Sequence, residues 1–253
     1  MNRGDCILSI ITNSIVIAIG LGFAYSSLIV SIPSFKSEDN KFFINTLWCI
    51  TAFFFIMWIW CWIYSATADP GRTSDDLKDR GYLQEIQKGN IPIPLRGLPI
   101  CHKCGLPQPP NAEHCDICNS CHLRFDHHCG VIGNCVADKN LKSFTLSFIY
   151  GGIFSAITTI VGLISFSKLN KEKKGNPSVI IGLIITVYSG AISIVLIAFG
   201  LGIFFENLSH SKLSLTKYLW TFGNHWWQKL IPIQRKTTFL AWPGVFWVDD
   251  FEA

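Results

Sequence analysis

Seven cysteines and five histidines fall within the 35 residues from Cys101 to Cys135, in the segment CHKCGLPQPPNAEHCDICNSCHLRFDHHCGVIGNC. Two Cys-x-x-Cys pairs with histidines beside them have the spacing by which short loops present thiolates to a tetrahedral zinc ion. Two four-coordinate ions take six cysteines and two histidines, which leaves one thiol over. An odd number of cysteines in one cluster also argues against a simple set of disulfides.

Cys129 is the most informative candidate for the extra thiol. It directly follows Asp126, His127 and His128, so a carboxylate, an imidazole and a thiol sit within four residues. A thiol becomes a strong nucleophile when an adjacent base takes its proton and a third group orients that base. The same residues permit a second arrangement, in which Cys129 is itself a ligand and Asp126 only supports a ligating histidine. Spacing alone leaves both open. Zinc thiolates and a free thiol favour a reducing compartment, so this segment is expected to face the cytosol.

The elements that must carry this segment are apolar. Of 253 residues, 49% are hydrophobic and 15% charged, and uncharged runs cover residues 6–35, 42–68, 143–167 and 175–205. Each run exceeds the roughly 20 residues a helix needs to cross a bilayer. A soluble globular chain and a disordered one are both excluded. The first run is too long for a cleaved signal, whose apolar core is roughly 7–15 residues. The expected architecture is an α-helical polytopic membrane protein of four transmembrane helices, with a small, loop-rich, zinc-stapled domain between helices 2 and 3. Residues 1–68 hold helices 1 and 2, 69–142 the cysteine-rich domain, 143–205 helices 3 and 4, and 206–253 a partly interfacial tail. Short loops are expected at Pro33–Lys41 and at Lys168–Lys174. No internal repeat stands out.

Four spans put the N-terminus, the 69–142 stretch and the tail on one side, with 15 of the 21 Lys and Arg residues. That excess points to the cytosol, although the Lys168–Lys174 loop opposes it with four lysines. A formal charge of +4 is too small to suggest nucleic acid as a partner. The uncharged spans likewise carry no intramembrane charge to mark an ion path, which counts against a channel or transporter. Glycines within the spans are expected to serve close helix packing, and Asn13 to hydrogen-bond between helices.

The run Asp126-His127-His128-Cys129, set in this Cys/His array between the second and third apolar runs, resembles the DHHC protein S-acyltransferases, or palmitoyltransferases. The similarity extends through Cys101-x2-Cys104, His114-Cys115-x2-Cys118-x2-Cys121, Asn134-Cys135, Asn140 and Phe144. Asp69-Pro70-Gly71 is similar to that family's short motif after helix 2, and Phe222-Gly223-Asn224 loosely resembles its tail. The resemblance implies two structural zinc sites, one of Cys101, Cys104, His114 and Cys121, the other of Cys115, Cys118, His128 and Cys135. It implies that Asp126 orients His127, that His127 takes the proton of Cys129, and that the thiolate attacks palmitoyl-coenzyme A or a similar acyl donor. The acyl group then passes to a cysteine of a membrane-associated protein at the cytosolic face. The implied setting is the bilayer of an endomembrane (endoplasmic reticulum or Golgi) or the plasma membrane; any accessory subunit is left unspecified.

This chain departs from the family pattern at three places. Gly130-Val131 follows the DHHC run where Pro-Trp is usual, Gln108-Pro109-Pro110-Asn111 replaces a basic stretch, and no Thr-Thr-x-Glu follows the last helix. Arg124, Lys139 and Lys142 are the cations left to meet the phosphates of the acyl donor. The departures also motivate an alternative, a membrane-tethered zinc module that recruits partners with little or no catalysis. A RING-type ligase is excluded because the Cys/His order does not fit its cross-brace.

Overall fold

Long apolar sequence free of internal proline satisfies its backbone only by closing into helices, since a bilayer offers no water to the peptide groups. A computed structural model describes residues 3–35, 41–172, 177–211 and 225–232, and it follows this expectation. Helix α1 spans Arg3–Ala24 and continues through a π-helical segment, Tyr25–Ser31, into a 3-10 turn, Ile32–Phe35. Helix α2 spans Lys41–Thr67. Two short helices follow, α3 at Thr73–Asp79 and α4 at Leu83–Gln87, then a 3-10 turn at Ile93–Leu95. Strands β1 (Glu113–Cys115), β2 (Ser120–His122), β3 (His127–Cys129) and β4 (Asn134–Val136) make two antiparallel hairpins. Helices α5 (Leu141–Glu172) and α6 (Pro177–Ser211) come next, and α7 is a single short turn at Trp226–Leu230.

Four of these helices are long and apolar enough to span a membrane, over Cys6–Ser31, Lys41–Thr67, Leu141–Ser167 and Ile180–Ser209. The molecule is an integral membrane protein with its cysteine-rich segment between the second and third spans. Proline stands only where it breaks nothing: Pro33 lies in the turn after the first span and Pro177 is the first residue of α6. Lys168–Glu172, expected as part of a loop, instead form the end of α5. Lys and Glu are good helix formers, and no Gly or Pro interrupts the run before Gly175. The remaining loop residues around 36–40 and 173–174, Phe222-Gly223-Asn224, and Trp220, Trp242 and Trp247 lie outside the described residues. Of the expected interfacial tail, α7 presents Trp226, Trp227 and Leu230 as exposed side chains.

The described residues fall into two compact units, one drawn from Met1–Thr12, Tyr64–Phe144 and Leu219–Ala253, the other from Asn13–Ile63 and Thr145–Tyr218. The second is held by close packing and polar contacts between helices. Trp58 stacks on Phe154 with ring centroids 6.4 Å apart. A β-carbon on Gly20 would lie 2.0 Å from the Trp58 ring, and one on Gly151 would lie 2.7 Å from it. The two glycines thus form the notch that this indole fills. Asn13 accepts a hydrogen bond from Trp62 Nε1 at 2.8 Å, Thr159 and Ser189 share one at 2.9 Å, and Ser193 donates to the Gly152 carbonyl at 2.9 Å. Small residues and hydroxyls are the usual means of joining helices in lipid, where no hydrophobic drive separates a neighbouring helix from an acyl tail.

Gly22, two residues from Gly20, would have nothing within 4 Å of an added β-carbon. Gly20→Ala is therefore expected to destabilise the helix packing by about 1–3 kcal/mol, the usual cost of overfilling a core. Gly22→Ala should be tolerated. Thermal unfolding of the two variants in detergent checks the contrast.

Candidate metal centres and thiol site

The two hairpins are built on one plan. His114 pairs with Cys121 across β1–β2, and His128 pairs with Cys135 across β3–β4. In the first group Cys101, Cys104 and Cys121 lie 13, 10 and 7 residues from His114; Cys115, Cys118 and Cys135 lie at the same separations from His128. The chain thus contains a tandem repeat of 14 residues, counted from Cys101 to Cys115 or from His114 to His128. No repeat stands out on first reading of the sequence, and the paired hairpins make this one evident. The unit is too short, and its filler residues too dissimilar, to be noticed without the hairpins.

The structure brings the two expected ligand sets together. Within each, one potential ligand atom per residue lies within 4.8 Å of the other three. His114 Nδ1 is 3.7, 3.1 and 3.7 Å from the sulfurs of Cys101, Cys104 and Cys121. His128 Nδ1 is 3.7, 3.4 and 3.5 Å from those of Cys115, Cys118 and Cys135. A ring nitrogen has one lone pair and cannot accept from three thiols at once. A tetrahedral zinc, with sulfur at about 2.3 Å and nitrogen at about 2.0 Å, would set such pairs roughly 3.6 Å apart, so both clusters fit structural zinc. Burial first, and the neighbouring thiols second, push the thiols of Cys121 and Cys135 up; a dication reverses that balance and stabilises thiolate. Amides already point at the sulfurs: Cys104 N–H donates to Cys101 Sγ and Cys118 N–H to Cys115 Sγ, each at 3.4 Å. Gln108, within one of the departures from the family pattern, donates to Cys121 Sγ at 3.6 Å.

Asp126, His127 and Cys129 also converge. The Asp126 carboxylate is 3.1 Å from His127 Nδ1, and the His127 ring packs edge-on against Phe144, with centroids 5.7 Å apart. The Asp126 hydrogen bond, followed by the one to Cys129, raises the His127 pKa to about 9. Burial acts against a charged Cys129. The His127 hydrogen bond and the N–H groups of Ile132 and Val131 outweigh it, so the thiol falls below its ordinary value. Arg124, just before this group, takes a left-handed backbone with φ of 46°, which turns the chain into β3.

Comparison with known proteins agrees with this geometry. The profile described as DHHC palmitoyltransferase matches residues 96–223, half of the chain. The chain belongs to the DHHC palmitoyltransferase family. It is 29% identical to "Probable protein S-acyltransferase 13" of Arabidopsis thaliana over 205 residues, 76% of this chain and 65% of that protein. It is 35% identical to Palmitoyltransferase ERF2 of Eremothecium gossypii over 35% of this chain and 24% of that protein. With Palmitoyltransferase ZDHHC18 of Mus musculus the identity is 36%, over 36% of this chain and 26% of that protein. In each case the match spans less than two thirds of the relative's own length.

In this DHHC protein the three cations expected to meet phosphate all have partners within the chain. Arg124 pairs at 3.0 Å with Asp138, a fully buried carboxylate whose pKa burial raises and Arg124 partly restores. Lys139 pairs at 3.0 Å with Asp69, and its side chain keeps 34% of its surface exposed. Lys142 is buried and donates to the Gln228 carbonyl in α7 at 2.5 Å.

Two anchors of the DHHC segment had no assigned role in sequence terms. The last carbonyls of a helix lack intrahelical partners. At the end of α2, Asn134 donates to the carbonyls of Ser65 and Ala68 at 3.2 and 2.8 Å, and Asn140 donates to Ser65 at 3.1 Å and to Cys135 at 2.8 Å. Two amides thus tie the second hairpin to the second span. Both asparagines stood within the family resemblance, but their partners could not be read from it, because the α2 carbonyls they serve lie some 70 residues away in sequence.

Elemental analysis of the purified chain should find two zinc ions per molecule. Cys104→Ser is expected to lose at least the first and Cys118→Ser at least the second, each with a lower melting temperature. Full metal retention in either variant would contradict the ligand sets.

Proposed function

We propose that this chain is a protein S-acyltransferase that moves a palmitoyl-type fatty acyl group from coenzyme A to protein cysteines through an acyl-enzyme on Cys129. The observation that carries the proposal is the Asp126–His127 contact at 3.1 Å with Cys129 two residues further along the same strand, where the imidazole is raised and the thiol lowered. A raised imidazole and a lowered thiol move in the direction that favours transfer of the thiol proton to His127. The Cys129 thiolate adds to the thioester carbonyl carbon and the bond to coenzyme A breaks. The departing sulfur takes the proton from His127. A substrate cysteine, its own proton passing back to His127, then attacks the acyl-enzyme and regenerates the Cys129 thiolate.

The zinc ions, held by Cys101, Cys104, His114 and Cys121 and by Cys115, Cys118, His128 and Cys135, are structural in this reading and take no part in bond making. Residues 69–142 form the working domain, and the reducing environment its thiols need puts it, with both termini, on the cytosolic side. The apolar spans supply surroundings for an acyl chain, which prefers them by about 0.8 kcal/mol per buried methylene. Lys139 is the cation available to the phosphates of the donor; Arg124 and Lys142 serve as structural charges, engaged with Asp138 and Gln228.

The alternative of a non-catalytic zinc module rests on the Gly130-Val131 and Gln108–Asn111 departures. Two observations favour catalysis instead. The Asp126–His127 contact involves neither Gly130 nor Val131, so the departure there does not remove it. A side chain at Gly130 would meet nothing within 4 Å, so the site does not depend on glycine there.

Cells given an alkyne fatty acid should yield hydroxylamine-sensitive label on the purified protein, lost in Cys129→Ser. Unlabelled wild type, or a labelled serine variant, would sink the catalytic reading. Asp126→Ala removes the largest cause of the raised His127 pKa, so the imidazolium would be lost at lower pH and the thiolate would lose its partner. The pH midpoint for alkylation of Cys129 by iodoacetamide should therefore move upward in that variant. An unmoved midpoint would remove Asp126 from the scheme.

A further inference from the structure

The 14-residue repeat does not stop at the second metal set. Cys101, Cys115 and Cys129 are evenly spaced by 14 residues. Each opens a turn whose fifth residue is left-handed: Gly105 with φ of 67°, Asn119 with 51° and Gly133 with 69°. The first and third turns share a backbone hydrogen bond from the fifth N–H to the first carbonyl, at 2.8 Å for Gly105 and 2.9 Å for Gly133. In the first two, the fourth N–H also donates to the first sulfur: Cys104 to Cys101 and Cys118 to Cys115. Cys129 thus sits on a third zinc-knuckle turn. Its second cysteine is replaced by the buried Ile132, and the positions 14 residues beyond His128 and Cys135 are Lys142 and Ile149. The third turn lacks the ligands that would let a metal brace it.

Helix α1 takes over that task. The Thr12 hydroxyl reaches the Val131 carbonyl at 2.9 Å. Its own helix carbonyls at Leu8 and Ser9 lie at 3.0 Å and share the single hydroxyl proton with Val131. A β-carbon on Gly133 would lie 2.5 Å from Ser9 Oγ, so α1 and the turn are in close contact there as well. The Val131 carbonyl and the Ile132 N–H belong to one planar peptide unit and point in opposite directions. Fixing that peptide fixes the middle of the turn that the Gly133 N–H to Cys129 carbonyl hydrogen bond closes, and so the course of the chain leaving Cys129.

We propose that Thr12 is a positioning residue for the nucleophile, holding the Val131–Ile132 peptide of the turn that Cys129 opens, where the two metal sites use zinc to hold the equivalent turn. The proposal rests on the acyl-transfer reading, and its test separates the two. Purified full-length wild type, Thr12→Val, Thr12→Ser and Cys129→Ser are mixed with palmitoyl-coenzyme A, and acyl-enzyme formation is followed in a single turnover. Zinc content is measured alongside. Thr12→Val keeps the shape but loses the hydroxyl. Its saturating acylation rate should fall about fivefold, the worth of one ordinary hydrogen bond. The donor concentration for half-saturation and the two zinc ions should be unchanged, and Thr12→Ser should restore the rate. An unchanged rate in Thr12→Val, a serine variant as slow as the valine one, or a loss confined to zinc content or donor affinity would overturn the role of Thr12. Wild type that forms no acyl-enzyme, or Cys129→Ser that does, would overturn the acyl-transfer reading and this inference with it.

Discussion

Three sulfurs and one imidazole nitrogen around a common centre fit a bound cation, because a lone ring nitrogen cannot satisfy three thiols. That constraint recurs twice between Cys101 and Cys135, and the order of the cysteine-rich segment depends on it. The apolar core beneath the segment is small, essentially Leu77, Leu95, Ala112 and Leu123 with a few half-buried neighbours. Hairpins of three-residue strands are not stable alone in water. A structural zinc supplies folding free energy directly, so the metal sets do the work that a larger domain assigns to hydrophobic burial.

The ligands interleave. Cys115 of the second set lies between His114 and Cys121 of the first, so neither centre closes a separate loop. His127 and Cys129 flank the ligand His128 on β3, and their separation and the ring orientation of His127 follow from that strand's pairing with β4. Asn134 and Asn140 extend this order to the end of α2, while Phe144 carries it into α5 through the His127 ring. Structural ions can in this way set the geometry of a thiol they do not touch.

Much of this was legible in the sequence for a physical reason. Apolar runs of 25–31 residues have one stable outcome in lipid, and the helices follow them closely. The ligand sets followed from residue type and spacing once the family resemblance divided eight donors into two groups. What stayed hidden depends on backbone direction or on distant pairing. The continuation of α5 through Lys168–Glu172 depended on local propensity, which a charge-based boundary ignores. Arg124 and Lys142 looked like free cations because Asp138 and the Gln228 carbonyl become their partners only in three dimensions. The 14-residue repeat lies in φ angles and N–H···S contacts more than in letters, since glycine and asparagine serve equally well at its left-handed position.

The contact between Thr12 and Val131 joins residues 119 apart in sequence. Loops of that length close late, since their ends must find one another after nearer contacts have formed. The zinc turns, by contrast, are local and need only their own few residues and a metal. The proposed brace on the Cys129 turn therefore closes a long loop, whereas each candidate metal set closes only short ones. On the acyl-transfer reading, loss of the first span would leave both metal sets complete and the Cys129 turn without its Thr12 contact.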